Sequence, residues 1–138
     1  MRKRSRAREF ALQILYQMDM SQESPASSLD NFWQAHSEEN IEDELKEFAG
    51  QIVNGVSLNL GEIDKKISQF ATNWQLERMA VVDRNILRMS CFELLYREDI
   101  PPKVSINEAV ELAKKYSGIE AGKFVNAILD KVKLEKGK

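Results

Sequence analysis

The chain has few of the residues from which catalytic and metal sites are built. It contains one cysteine, Cys91, and one histidine, His36, among 138 residues, too few for a disulfide within the chain or for an ordinary zinc site. Cys91 lies in an apolar run, so we expect a buried structural thiol, whereas His36 lies in a polar stretch and should be solvated. Glycine-rich phosphate loops are also lacking, because Gly50, Gly55 and Gly61 lie on a helical pattern and follow no strand. We therefore expect neither an enzyme nor a cofactor or metal site.

Long apolar runs are lacking as well. No segment approaches the roughly 18 consecutive apolar residues of a membrane span. Gln13, Gln17 and Asp19 interrupt the apolar residues after the N terminus, which argues against a signal peptide. A single cysteine fits a reducing compartment. With 43% hydrophobic and 30% charged residues, we expect one globular, cytoplasmic domain over residues 1–138.

The apolar residues that are present recur at helical spacing, and alternation is nowhere sustained. This pattern predicts an all-α fold of about seven helices. The longest stripe runs from Leu45 to Trp74 and predicts one helix of nearly thirty residues, with its glycines as places for a close crossing or a bend. Capping boxes at Ser27 and Ser105 should begin two helices, and Gly118 should follow the end of one. The predicted helices cover about residues 5–19, 27–33, 45–74, 76–97, 106–117 and 120–134, the fourth being the most buried.

Positive charge is concentrated at the N terminus. Five of the first eight residues are basic and none is acidic: Arg2, Lys3, Arg4, Arg6 and Arg8. The formal net charge of the chain is −2, so the remainder without these five charges stands at −7. A basic arm on an acidic body predicts a localised anion-binding surface, for which nucleic-acid backbone is the obvious ligand. A disordered, solubilising N terminus is the alternative, but the helical pattern has already begun at Arg6 and Arg8.

A second candidate anion site is the segment from Glu120 to Phe124, which opens the last predicted helix. Backbone N–H groups and the positive end of the helix dipole are available at such a position. Gly122 would permit close approach and Lys123 adds a charge, so the segment could hold a phosphate. Every helix has an N terminus, however, and the segment by itself is weak evidence.

Four segments taken together resemble the NusB family of bacterial transcription antitermination factors. They are residues 6–16 (RAREFALQILY), 84–95 (RNILRMSCFELL), 106–115 (INEAVELAKK) and 123–130 (KFVNAILD), whose order and spacing match over nearly the whole chain. The resemblance implies two small three-helix subbundles packed across each other and no catalytic activity. It also implies binding to boxA, a short single-stranded element of nascent RNA, together with the ribosomal protein NusE. The pair would join the elongating RNA polymerase and favour read-through, notably in ribosomal RNA operons.

The resemblance also implies which residues form the sites. The RNA-binding residues would be the five basic residues of the arm, Tyr16, and the segment that begins at Lys123. Glu120 keeps the family's acidic residue there, but Ala121 and Gly122 offer no side-chain donors, so contacts must come from the backbone or Lys123. By position, Glu77 and Asp83 are candidates for the surface that faces NusE.

The physical requirements of single-stranded RNA agree with this assignment. Such RNA needs positive charge for its phosphates and aromatic faces for its bases. The arginines supply the charge, and Tyr16 or Phe124 could supply an aromatic face. Both aromatic residues also lie at core-compatible spacing. Core packing is slightly favoured for Phe124, whereas the hydroxyl of Tyr16 favours a wet edge.

Two other classes of protein stay open. One is a helical adaptor that binds only proteins, and the other is a DNA-binding helical regulator. Against the second, the densest basic run is terminal and no short turn precedes a basic recognition helix. The sequence leaves open whether the free protein is a monomer or a homodimer, which operons it serves and which RNA sequence it prefers.

Overall fold

The computed structural model describes residues 2–71 and 75–136, and these ranges are all-α, with seven α-helices and no strand. The helices are α1 (Lys3–Ser21), α2 (Pro25–Ala35), α3 (Asp43–Leu58), α4 (Leu60–Phe70), α5 (Val81–Tyr96), α6 (Pro102–Tyr116) and α7 (Ile119–Lys136), with short 3-10 turns at Ser37–Glu39 and Leu76–Arg78. The chain divides into two compact units, Met1–Leu58 and Asn59–Lys138. The all-α prediction is confirmed. The first unit contains three helices, as expected, and the second contains four.

In the first unit, α1 packs against both α2 and α3. Phe10 of α1 meets Phe32 and Trp33 of α2 edge-to-face, at ring-centroid distances of 5.8 and 5.7 Å. Ile14 and Ile52 are fully buried in the same unit. These contacts hold α1, which contains four of the five basic residues of the N-terminal cluster, against the rest of the unit.

The start of α2 differs from the prediction. Ser24 is the N-cap and its hydroxyl accepts the N–H of Ser27 at 3.2 Å, with Pro25 at the first helical position. Proline suits that position, since its φ is already helical and its missing N–H would have no intrahelical partner. The predicted capping box at Ser27 was therefore wrong, because the helix is already under way there.

The long apolar stripe is not one helix. It divides into α3 and α4 at Asn59, whose carbonyl accepts the N–H of Ile63 at 2.9 Å, and Leu58 beside it is 85% exposed. A stripe that continues in phase is equally compatible with one helix and with two helices that each bury the same face. The backbone of Asn59 departs from helical values, with φ −116° and ψ 19°, so the break falls at this residue, whereas Gly50, Gly55 and Gly61 all lie within helices. Trp74, the last residue of the stripe, lies outside the described residues.

In the second unit, α5 packs against α4, α6 and α7 and is the most buried helix, as predicted. Ile86, Leu87 and Cys91 are fully buried on it. Burial raises the pKa of the Cys91 thiol to about 12, so the thiol is structural and stays protonated. Among the described residues, none of the helices combines the length and apolar character needed to cross a membrane.

The two ends of α6 illustrate one wrong and one correct prediction. The helix begins at Pro102, with Pro101 as its N-cap, so Ser105 is not a capping residue. Instead Ser105 is buried and its hydroxyl donates to Glu93 at 2.7 Å. At the other end, Gly118 has a φ of 119° and its N–H donates to the carbonyl of Ala113 at 2.9 Å. That is the expected helix-ending glycine, and α7 begins directly after it.

Candidate nucleic-acid interface

The basic N terminus is the beginning of a helix and not a separate arm. Arg2 is the N-cap of α1, and its carbonyl accepts the N–H of Arg6 at 3.1 Å. Lys3, Arg4, Arg6 and Arg8 all lie within the helix. Their backbone positions relative to each other are consequently set by helical geometry.

Lys3 and Arg6 form ion pairs with acidic residues of the first unit. The ammonium of Lys3 lies 2.9 Å from Glu42 and 3.3 Å from Glu44, and the hydrogen bonds to Glu42 and then Glu44 raise the pKa of Lys3. Arg6 lies 3.6 Å from Glu39 and 3.8 Å from Glu9. Lys3 and Arg6 therefore exchange carboxylates for phosphates if they bind RNA.

Arg8 does not suit the predicted role of an open phosphate contact. Its residue exposure is 3%, and its guanidinium lies 5.2 Å from the centroid of the Phe48 ring. The physical reason is that the apolar stripe of α1 has already turned this position toward α3. Arg2 and Arg4 are exposed, and they are the members of the cluster best placed for phosphate.

Tyr16 lies farther along α1 and is 40% exposed. It is fourteen residues after Arg2, so about 21 Å of helix separates the two. Gln13, Gln17 and Met20 are exposed on the same helix. The expectation that the tyrosine has a wet edge is met, and its ring is accessible.

The start of α7 has a different geometry from that predicted. Gly122 is buried, and its N–H donates to the carbonyl of Gly118 at 3.2 Å. A Cβ at Gly122 would lie 3.0 Å from Cγ of Lys114 and 3.6 Å from Cγ1 of Val110. This glycine therefore permits close packing of α6 on α7, and its approach to a phosphate stays a prediction.

Lys123 and Glu120 remain exposed at this helix start. Their side chains form an i,i+3 ion pair at 3.6 Å, and that of Lys123 is 71% exposed. An ion pair in that setting has little strength, so the lysine can exchange its partner readily. Lys123 is thus the cation of this segment that a phosphate can reach.

A cavity of about 560 Å³ adjoins the same helix start, within the second unit. Phe124, which is half-buried, forms part of its wall. Asp83, at the first turn of α5, accepts a hydrogen bond from the hydroxyl of Ser117 at 2.7 Å. The cavity is lined by Arg78, Met79, Ala80, Asp83, Ser117, Glu120, Ala121 and Phe124. It brings together residues that sequence reasoning had assigned to two different partners.

Several features of this cavity could not be found from the sequence. Arg78, Met79 and Ser117 belong to connections between helices and have no motif of their own. Glu77, the other candidate for the NusE-facing surface, is exposed and does not line the cavity; its carbonyl accepts from the guanidinium of Arg84 at 3.4 Å. Asp83 and Glu77 are therefore near each other in the chain but have different surroundings.

Neither the histidine nor the acidic residues form a metal site in the described part of the chain, where no group of three or more His, Cys, Asp or Glu side chains could hold an ion. His36 is half-buried and not simply solvated. Its ring stacks on Phe32 at a centroid distance of 4.1 Å, and its Nδ1 lies 2.8 Å from the carbonyl oxygen of Phe32. It is a packing residue of the first unit.

Comparison with known proteins agrees with the fold. The sequence profile of the NusB family matches residues 5–133. A transcription antitermination protein NusB from Anaeromyxobacter dehalogenans is 50% identical over 94% of this chain and 89% of the relative, and one from Myxococcus xanthus is 48% identical over 94% and 93%. Among solved structures, T. maritima NusB superposes with a TM-score of 0.86 at 38% identity, covering 96% of this chain and 91% of that one.

A further structural relative comes from a solved complex. A chain from the crystal structure of the antitermination factors NusB and NusE in complex with dsRNA matches with a TM-score of 0.86 and 31% identity over 98% of each chain. These likenesses define a non-enzymatic, all-helical transcription antitermination factor. The chain belongs to the NusB family.

Proposed function

We propose that this protein binds boxA-type single-stranded RNA together with the ribosomal protein NusE. The assembly joins the elongating RNA polymerase and favours read-through, notably in ribosomal RNA operons. The observation that best supports the proposal is the likeness, over 98% of each chain, to a chain of the solved NusB–NusE–dsRNA complex. Because the RNA in that relative is double-stranded, the strandedness of the ligand is the point that an experiment has to decide.

Three accessible cations support an RNA-binding role. Arg2 and Arg4 are exposed on the first unit, and Lys123 is exposed on the second. If these three contact phosphates, the slope of log K against log salt should be about −2, from about −0.7 per contact on single strands. Four contacting arginines would have given a slope near −3. Lys3 and Arg6 contribute less, since each first gives up a carboxylate.

Two aromatic side chains support recognition of unpaired bases. Tyr16 is exposed on α1, and Phe124 forms part of the wall of the cavity beside α7. An aromatic face stacks on an unpaired base, whereas bases in a duplex are already stacked on each other. We therefore expect Tyr16→Leu to weaken the binding of single-stranded RNA more than the binding of the duplex of the same sequence.

Asp83 and Glu77 are the proposed contacts with NusE. Asp83 lies at the edge of the cavity, and its carboxylate is oriented by the hydroxyl of Ser117. Glu77 lies in the turn just before α5 and is exposed. A carboxylate at the edge of a cavity and an exposed one suit positively charged groups of a partner protein. Asp83→Asn should weaken the binding of NusE. Glu98→Gln, at an exposed acidic residue of another turn, should leave the affinity for NusE unchanged.

The first test is a titration of three labelled probes with and without NusE. The probes are a single-stranded boxA-type RNA, its duplex with the complementary strand, and duplex DNA of the same sequence. We expect the single strand to bind tightest and to bind more tightly with NusE present. Binding to NusE but to no nucleic acid would favour the protein-only adaptor, and preference for duplex DNA would favour the DNA-binding regulator.

The second test measures the coupling between the two partners by calorimetry. Linkage requires RNA to tighten NusE binding by the same factor as NusE tightens RNA binding. Equal NusE affinities with and without RNA would mean that the two sites are independent. The joint-binding mechanism would then be refuted even if each partner binds alone.

A further inference from the structure

One aromatic ring contacts two arginines of the basic cluster. Phe48 lies on α3, and its ring centroid is 4.5 Å from Cζ of Arg4 and 5.2 Å from Cζ of Arg8. Both distances are within the range of about 6 Å for a cation–π interaction. Phe48 itself is 5% exposed, and Arg4 is exposed. The ring is therefore held firmly by the unit while Arg4 remains open to a ligand.

The kind of contact matters for RNA binding. A guanidinium that stacks on an aromatic ring through its face keeps its N–H groups, which lie in its plane, able to donate to a phosphate. An ion pair at hydrogen-bond distance instead uses the N–H donors themselves, as at Lys3. Arg6 has both kinds of neighbour, with carboxylates at 3.6 and 3.8 Å and the ring centroid of Phe10 at 4.6 Å. Arg4 is thus oriented by a neighbour that does not compete with phosphate.

The space around Arg4 is also open. A cavity of about 160 Å³ adjoins it in the first unit. Phe48 and Gln51 of α3 form part of its lining together with Arg4, as do Lys3 and the acidic residues Glu44 and Glu47. Because Arg4 is exposed, a phosphate can reach its guanidinium from solvent without displacing a helix.

From these contacts we propose that Phe48 is a positioning residue of the RNA site, which acts by holding the guanidinium of Arg4 ready for a phosphate. This inference rests on the proposed RNA-binding function. An unrestrained arginine loses side-chain freedom when it binds, and the ring removes part of that loss in advance. From the usual strength of an exposed cation–π contact, the effect on RNA affinity is about two- to five-fold.

The test is a double-mutant cycle on the full chain with single-stranded boxA-type RNA. Phe48→Leu keeps an apolar side chain but removes the aromatic face, and Phe48→Tyr keeps the face. We expect Phe48→Leu to lower the affinity for RNA two- to five-fold and Phe48→Tyr to bind RNA as the wild type does. In an Arg4→Ala background, Phe48→Leu should have no further effect, because its consequence passes through Arg4. Affinities are measured at a temperature where circular dichroism finds every variant folded.

The alternative role of Phe48 is packing alone. In that case Phe48→Leu would lower the Tm without changing RNA affinity, or would weaken RNA equally with and without Arg4, and either result would overturn the inference. If Phe48→Leu fails to fold, Phe48→Met provides the same comparison with a longer apolar side chain. A wild type that binds no RNA would refute the proposed function and this inference with it, whereas RNA binding without coupling would refute only the role of Phe48.

Discussion

Replacing Arg8 with alanine should destabilise the fold and leave the RNA affinity of the folded protein nearly unchanged. Arg8 is 3% exposed, and its guanidinium lies 5.2 Å from the Phe48 ring. Its side chain is therefore part of the packing between α1 and α3. This expectation separates Arg8 from Arg2, although both belong to the same basic run.

The size of the effect follows from what alanine removes. A desolvated cation–π contact contributes about 2 kcal/mol, and the methylene stem of a buried arginine adds packing that alanine does not replace. Desolvation of the charge offsets part of this stabilisation, so we expect a net loss of about 2–3 kcal/mol. In a chain of 138 residues that corresponds to a fall in Tm of roughly 10 °C.

The assay combines thermal unfolding by circular dichroism with RNA titration at a temperature where the variant is folded. Arg2→Ala is the matched control: Arg2 is exposed and makes no capping hydrogen bond with its side chain. Arg2→Ala should leave the Tm unchanged, lower the affinity for RNA, and make the slope of log K against log salt less steep by about 0.7. If Arg8→Ala instead leaves the Tm unchanged and weakens RNA as Arg2→Ala does, then Arg8 contacts RNA and the burial argument is wrong.

Three further predictions concern other parts of the molecule. Gly122→Ala should lower the Tm, because its Cβ would lie 3.0 Å from Cγ of Lys114. Gly50→Ala is the control: its Cβ meets nothing within 4 Å, so it should stabilise its helix by about 0.5–1 kcal/mol. Equal shifts of the two variants in thermal unfolding would contradict this prediction. Lys123→Ala should weaken RNAs of different sequence by one common factor without changing the Tm, since a phosphate contact contains no base information; a sequence-dependent loss in parallel titrations would point to a base contact. Cys91 should resist a thiol reagent until the protein unfolds. Its pKa is raised from 9.0 to about 12, so the Cys91 thiol ionises only in the unfolded chain as the pH passes 9.0. The free energy of unfolding should therefore fall above that pH. If a Cys91→Ala variant shows the same fall, the fall is due to other groups.

Much of the secondary structure follows from local patterns in the sequence. The helical spacing of apolar residues predicted an all-α chain, and the dense apolar run around Ile86 predicted the most buried helix. Gly118 was recognised as a helix-ending residue because a left-handed φ favours glycine wherever it occurs. Such features depend on neighbours within a few residues, so the sequence alone is enough to find them.

The boundaries of several helices depended on competition between signals. Ser27 and Ser105 both begin sequences that suit a capping box, yet Pro25 and Pro102 begin the helices. A proline at the first turn already has a helical φ and lacks the N–H that would need a cap. The serine hydroxyls can then form other hydrogen bonds, as Ser105 does with Glu93. Which of two adequate signals prevails depends on the packing of the whole helix.

The division of the basic cluster was decided by tertiary structure. The sequence alone identified five neighbouring positive charges, a positive helix start at Lys123 and the aromatic residues Tyr16 and Phe124. It could not distinguish Arg8, which is buried against Phe48, from Arg4, which contacts the same ring and stays exposed. Forty residues of chain separate Phe48 from Arg8, and no local pattern encodes which helix face will meet which ring.

The environment of Gly122 has the same origin. In the sequence it was a glycine at a helix start, equally suited to a phosphate or to a neighbouring helix. A side chain there would have to displace Lys114 of α6, because its Cβ would lie 3.0 Å from Cγ of that lysine. Charge, helical period and turn residues are properties of short segments and were determined by the sequence itself. The accessibility of each charge depends on surfaces brought together from distant segments, and only the folded units decided it.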